Sequence, residues 1–308
     1  MSSDIPTAIK IDGSMRMLPE NLNLNTNNDP TAGQTPAEQS SVDKMPNKTR
    51  STESLRRQSS EMSGDKMSVR ALIEIAVAEV VGTACLLFFG CMSLIGPSIP
   101  PLQPAIAFGL VVATIVQIFG HISGSHLNPT VTLCAVIMRK INAVSALVYV
   151  LSECLGAILG IGLLNLVTPC DLWMASAPNG SVCVTAPLPI LHDGQSLAIE
   201  FSATFFLILV VCCVWDERNS DKLDSVPLKF GVVIALLAMV AGPYTGGSMN
   251  PARSLGPAFL TGNFHKHWVY WVGPLSGSAV ASFFYKSIFL RKQALRPGVA
   301  EEVPLSRT

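Results

Sequence analysis

The sequence predicts an all-α membrane protein with six transmembrane helices and two re-entrant half-helices in an inverted repeat. Three observations point there. Of 308 residues, 49% are hydrophobic and 14% charged, and the mean hydropathy is +0.43. Two short strings, Asn128-Pro129-Thr130 and Asn250-Pro251-Ala252, lie inside apolar sequence, each behind a Gly/Ser-rich lead-in. The chain also aligns with itself: Ala78-Glu79-Val80-Val81-Gly82-Thr83 resembles Ile199-Glu200-Phe201-Ser202-Ala203-Thr204.

The spans come first. Apolar stretches run through 71–95, 104–120, 141–166, 196–215, 228–242 and 267–290. Most approach the roughly 20 residues that carry a helix across about 30 Å of hydrocarbon. The shorter two, 104–120 and 228–242, run on into the Asn-Pro lead-ins. Six crossings place both termini on one side. Basic residues crowd the links of that side: Lys66 and Arg70, Arg139 and Lys140, Arg218, Lys222 and Lys229, and Arg291, Lys292 and Arg296. The opposite links hold almost none besides Lys266. Positive charge marks the cytoplasmic side, so both termini are expected there. The expected location is the plasma membrane.

Three segments follow. Residues 1–69 are rich in Ser, Asn, Asp, Thr and Pro and poor in aromatics, which predicts a disordered cytoplasmic tail. Its start lacks the charged-then-apolar pattern of a signal peptide. Residues 70–290 form the membrane domain, with repeats at about 70–166 and 196–290, and 291–308 form a cytoplasmic C-terminal tail. The formal net charge is zero, which removes an electrostatic case for nucleic-acid binding. In the first tail, Arg56-Arg57-Gln58-Ser59 resembles a basophilic kinase site, although two solvated arginines are the plainer reading. Phosphate on Ser59 would add negative charge to the tail.

The eight cysteines form no CxxC pair. Cys170 and Cys183 share one outward link and are candidates for a bridge. The other six read as small apolar fillers. The same link holds Asn179-Gly180-Ser181, a glycosylation sequon on the side where it would be used.

The two Asn-Pro strings read as helix starts. Asn caps a helix, and Pro suits the first turn, where no backbone donor is needed. A single Asn-Pro is usually only a cap. Two of them, 49 positions after Glu79 and 50 after Glu200, occupy equivalent places in the two copies. Three spans per copy is odd, so the second copy is inverted, and inverted repeats with broken helices mark transport proteins. A half-helix of about ten residues is about 15 Å long, half the hydrocarbon, so the two meet near the centre. Each N-terminus carries roughly half a positive charge, and two of them facing each other bar cations and protons. Asn128 and Asn250 each offer an amide donor, and the lead-ins Gly124–His126 and Gly246–Met249 offer carbonyls. Such irregular backbone is tolerated at this depth only beside a cavity or under protein.

Glu79 and Glu200 read either as proton-relay carboxylates or as structural ones; their matching places favour acceptors for the exposed backbone of each lead-in. Glu153 has no charged counterpart in the sixth span and receives no role. His121 and His126 read as hydrogen-bonding loop residues rather than metal ligands. No cofactor and no metal are expected.

Residues 68–290 resemble the aquaporin, or major intrinsic protein, family. The resemblance is carried by His121-Ile122-Ser123-Gly124-Ser125-His126-Leu127-Asn128-Pro129, by Asn250-Pro251-Ala252-Arg253-Ser254 and by His267-Trp268-Val269-Tyr270-Trp271-Val272-Gly273-Pro274. Thr130 departs from the family's usual Ala; its hydroxyl can bond within the half-helix, so the fold is expected to survive. The resemblance implies a homotetramer in the lipid bilayer with one pore per subunit. It also implies an outer constriction made by Phe108, Ala238, Gly247 and Arg253. Water-only members carry His where this chain has Ala238. A methyl there and no side chain at Gly247 widen the gap, while Arg253 still offers a fork of donors. The pattern resembles the insect glycerol-conducting branch, and the expected permeants are water, glycerol and urea. Against this, dedicated glycerol facilitators carry Asp where this chain has Ser254, and Pro and Leu where it has Tyr270 and Trp271, so a water-selective channel is the alternative. A secondary transporter would need alternating access and a coupling-ion site. A membrane enzyme would need a catalytic constellation, and none is evident. A structural junction protein would not need two Asn-Pro strings.

Overall fold

A computed structural model describes residues 68–177 and 180–290. Ser59, Asn179 and the two tails lie outside the described residues. Among the described residues nine α-helices follow in order: α1 Val69–Met92, α2 Leu102–Ser123, α3 Pro129–Ile137, α4 Ala143–Val167, α5 Cys170–Ser176, α6 Asp193–Val214, α7 Val226–Thr245, α8 Pro251–Thr261 and α9 Val269–Ile288. Local chemistry starts several of them. Ser68 Oγ accepts from Ala71 N at 3.2 Å, Asn142 Oδ1 accepts from Ser145 N at 2.9 Å, and Gln195 Oε1 accepts from His192 N at 2.9 Å.

Each predicted apolar stretch is a long helix, displaced by a few residues at its ends. Five of these helices (α1, α2, α4, α6 and α7) are long and apolar enough to cross a membrane. The sixth, α9, has 20 residues but is more polar, because it carries Ser276, Ser278, Ser282 and Lys286. Two of those groups serve its neighbour α3: Ser278 Oγ donates to Thr130 O at 2.6 Å, and Lys286 Nζ donates to Ile137 O. The ammonium thereby sits at the C-terminus of α3, where the helix dipole favours a cation. The short α5, in the link after α4, was not anticipated.

The packing repeats. α1 lies against α4 as α6 lies against α9, and α2 lies against α7 between them. Helix α8 packs on α4, and α3 packs on α9. Small residues permit the close approaches, as expected where helices associate without a hydrophobic drive from water. A Cβ on Gly160 would lie 2.2 Å from Ala84 O, and one on the equivalent Gly277 would lie 2.5 Å from Phe201 O. On the central pair, a Cβ on Gly109 would lie 2.4 Å from Gly231 O.

The cysteine expectation is corrected. Cys183 bonds Cys91, with a Cα–Cα distance of 5.5 Å, while Cys170 is free and exposed. Cys91 is in the last turn of α1, which ends on the same face as the link that carries Cys183. Cys170 instead opens α5.

Candidate pore site

The two lead-ins have the same backbone. Gly124 and Gly246 both have φ of 82°, Ser125 and Gly247 have 48° and 56°, and Leu127 and Met249 have 56° and 53°. Left-handed conformations at Leu127 and Met249 cost energy, so the surroundings must hold them. Two buried carboxylates do so. Glu79 accepts from Ser123 Oγ at 2.6 Å, His126 N at 2.9 Å and Leu127 N at 2.7 Å. Glu200 accepts from Thr245 Oγ1 at 2.6 Å, Ser248 N at 3.0 Å and Met249 N at 2.8 Å. Two tyrosines complete the pattern: Tyr149 Oη donates to Ser123 O, and Tyr270 Oη donates to Thr245 O.

These clamps aim the half-helices α3 and α8 tip to tip. Asn128 Oδ1 accepts from Thr130 N at 2.9 Å, and Asn250 Oδ1 accepts from Ala252 N and Arg253 N at 3.0 and 3.2 Å. Pro129 and Pro251 occupy the first turns. Each asparagine then reaches across: Asn128 Nδ2 donates to Met249 O at 3.0 Å, and Asn250 Nδ2 donates to Leu127 O at 2.7 Å. An amide carries two N–H donors, so each asparagine keeps a second N–H beside the cavity that it lines.

That cavity has a volume of about 500 Å³. Its lining extends from Leu94 and Pro101 at one end, past Asn128 and Asn250, to Trp215 and Phe230 at the other. Phe108, Ala238, Gly247 and Arg253 all line it. The Arg253 guanidinium lies over the Phe108 ring, 5.0 Å from its centroid. Arg253 Nη1 donates to Cys183 O at 2.7 Å, so the disulfide-tied loop fixes the arginine. Phe108 finds room because Gly90 has no side chain; a Cβ there would lie 2.5 Å from the ring.

The contacts of several neighbours were not anticipated from the sequence. Ser254 is fully buried; its hydroxyl contacts Thr185 Oγ1 at 2.7 Å and Ser248 Oγ at 2.5 Å. His126 stacks on Tyr149 at 4.2 Å, and its Nδ1 lies 2.9 Å from Thr132 Oγ1. Thr132 Oγ1 in turn donates to Glu153 Oε1 at 2.7 Å, which gives Glu153 a partner the sequence did not suggest. The expectation for His121 is corrected: it sits in the last helical turn of α2, exposed, because α2 runs three residues past 120. Cys91 was legible only as the terminal turn of a span; Thr132 and Thr185 gave no signal beyond their residue type.

A helical inverted repeat whose two capped half-helices meet over a lined cavity defines a pore-forming class of integral membrane protein. The chain belongs to the major intrinsic protein family, whose family model matches residues 66–285; its aquaporins are transport channels, not enzymes. Aquaporin-4 of Notomys alexis is 43% identical over 187 residues, covering 60% of this chain and 55% of that protein. This chain therefore spans about half the length of such relatives. Aquaporin-2 of Bos taurus is 39% identical over 223 residues, covering 71% of this chain and 79% of that protein. The X-ray structure of the aquaglyceroporin from Plasmodium falciparum superposes with a TM-score of 0.66 at 25% identity, covering 70% of this chain and 96% of that one.

Proposed function

We propose that this chain is a passive channel for water and small uncharged solutes such as glycerol and urea, and that it excludes ions and protons. The outer mouth carries the reading: Phe108, Ala238, Gly247 and Arg253 line one cavity, and three of the four walls offer no bulky hydrogen-bonding group. A pore selects by its diameter and by the groups that line it. Arg253, with one N–H bonded to Cys183 O, keeps further donors for a hydroxyl or carbonyl. The positive ends of α3 and α8, facing each other at the waist, oppose cations. The small residues Ala238 and Gly247 support a likeness to the insect glycerol-conducting branch.

A water-selective channel is the second reading. It is favoured by Ser254, Tyr270 and Trp271 and by the aquaporin-4 and aquaporin-2 relatives. Stopped-flow measurement of water, glycerol and urea flux in vesicles holding the purified protein separates the two. Solute uptake above protein-free vesicles supports the first reading. Brisk water flux with background solute uptake establishes the second. Saturable, steeply temperature-dependent flux would indicate a transporter.

Orientation and assembly belong to the same proposal. The Cys91–Cys183 bond suits an oxidising compartment, which supports an outward position for that face and cytoplasmic termini in a plasma-membrane protein. Leu147, Leu151, Leu155 and Leu159 form an exposed ridge on α4, in keeping with lipid or subunit contact in a homotetramer. Each subunit then holds its own pore.

A further inference from the structure

The two half-helix starts differ at one residue, and that residue changes the wiring of the waist. In the second half, Asn250 Oδ1 accepts from two backbone donors, Ala252 N and Arg253 N. In the first half, Val131 N, the counterpart of Arg253 N, bonds the backbone oxygen of Asn128 instead, at 3.0 Å. The vacated place on Asn128 Oδ1 is taken by the Thr130 hydroxyl at 2.8 Å. The same hydroxyl lies 3.3 Å from Met249 O, which also accepts from Asn128 Nδ2. At the equivalent place Ala252 has only a methyl.

We infer that Thr130 is a positioning residue of the pore: its hydroxyl holds the Asn128 amide in the plane that aims one N–H at Met249 O and the other at the permeant, and it makes the two halves of the waist unequal. Thr130 is itself fully buried and is not among the residues that line the cavity. It acts through Asn128, whose oxygen otherwise keeps a single partner, Thr130 N. Ser278 Oγ bonds Thr130 O from α9, so the threonine is held at its backbone while its hydroxyl holds the amide. The inference rests on the channel reading above.

The test compares water permeability per channel in vesicles of the wild type with Thr130→Val, Thr130→Ala and Thr130→Ser, at several temperatures. Valine keeps the shape and loses the hydroxyl; serine keeps the hydroxyl and loses a methyl. Losing one neutral hydrogen bond is expected to lower the permeability of both the Val and Ala variants by about two- to fivefold, with a steeper temperature dependence. The Ser variant is expected to stay close to wild type. Wild-type rates in the Val and Ala variants would overturn the inference, as would a Ser variant as impaired as Val. A loss in Ala alone would assign the effect to volume and also defeat it. Should Val fail to assemble, Ala, already present at the equivalent Ala252, carries the comparison with Ser. A wild-type protein that conducts no water fails the channel reading itself, before any variant is compared.

Discussion

On the channel reading proposed above, the methyl group of Ala238, which lines the same cavity as Arg253, sets the room at the outer mouth. Replacing it with imidazole, Ala238→His, is expected to lower glycerol flux at least several-fold and to leave water flux largely intact; equal loss of both would defeat the steric account. Arg253 depends on a more distant pair. Its partner Cys183 O belongs to a residue bonded to Cys91, 92 positions earlier. Opening a loop of that size is expected to cost about 2–5 kcal/mol. A thermal scan with and without reductant checks this: the wild-type midpoint should fall on reduction to that of Cys91→Ala, which should not respond. Both asparagines could be named from their Asn-Pro strings, whereas Phe108, Ala238, Gly247 and Arg253, which line the cavity, could be named only through the family resemblance. Cys91 could not, since a cysteine in an apolar helix looks the same whether it fills space or bonds a loop. The hydrogen-bond partners of Glu153 and His126 were hidden for a similar reason: Thr132 carries no pattern of its own.

Among the elements, the half-helices are specified most locally. Asn-Pro supplies the cap and the first turn, and both starts fall where the sequence puts them. Their lead-ins are specified by distant residues. Each holds a non-glycine residue in the left-handed region, and a carboxylate from another helix pays that cost by accepting two backbone N–H groups. Glu200→Gln presents an amide in place of one oxygen and leaves a buried donor unmet, which is expected to cost about 1–3 kcal/mol. The readout is a lower thermal midpoint and less assembled protein, with Glu79→Gln behaving alike. If the carboxylates were a proton relay instead, the variants would keep their stability and lose proton flux. The helix boundaries shifted by only a few residues because hydropathy marks the lipid slab, whereas helix ends are set by caps such as Ser68 and Asn142. α5 escaped notice because seven residues in a link show no period.

At the scale of the whole molecule, the face bearing the described ends is tied together by a polar cluster. Asp216 accepts from Arg218 Nε and Nη2 at 2.8 and 2.5 Å and from Tyr285 Oη at 3.1 Å. Arg218 also reaches Phe289 O at 3.1 Å, near the end of α9. Bonding to the Arg218 guanidinium holds the Asp216 carboxyl well below the usual carboxylate range. A carboxylate depressed in the folded state contributes fully above its unfolded value, about 4, and loses that contribution only as pH falls below it. The midpoint difference between wild type and Asp216→Asn is therefore expected to be constant from pH 8 to about 5 and to shrink below about 4. A difference that grows on acidification would contradict this. The inverted repeat itself was legible from two six-residue strings and the spacing of Glu79 and Glu200 to the asparagines. The wiring between the halves was not, because hydrogen bonds across a symmetry axis leave no spacing in the chain.

The reciprocal bonds of Asn128 and Asn250 also set an order of events on the ribosome. The partner of Asn128 lies 121 residues downstream, and the partner of Leu127 lies 123 downstream. At about 5–20 residues per second this is a wait of roughly 6–25 s. During that interval the first re-entrant segment is held by Glu79, Tyr149 and Glu153, without the partner tip. Stalled nascent chains cut after α5 should therefore show the first segment less protected when Glu79 is replaced by Gln, and only longer chains in which Asn250 has emerged should show the finished tip.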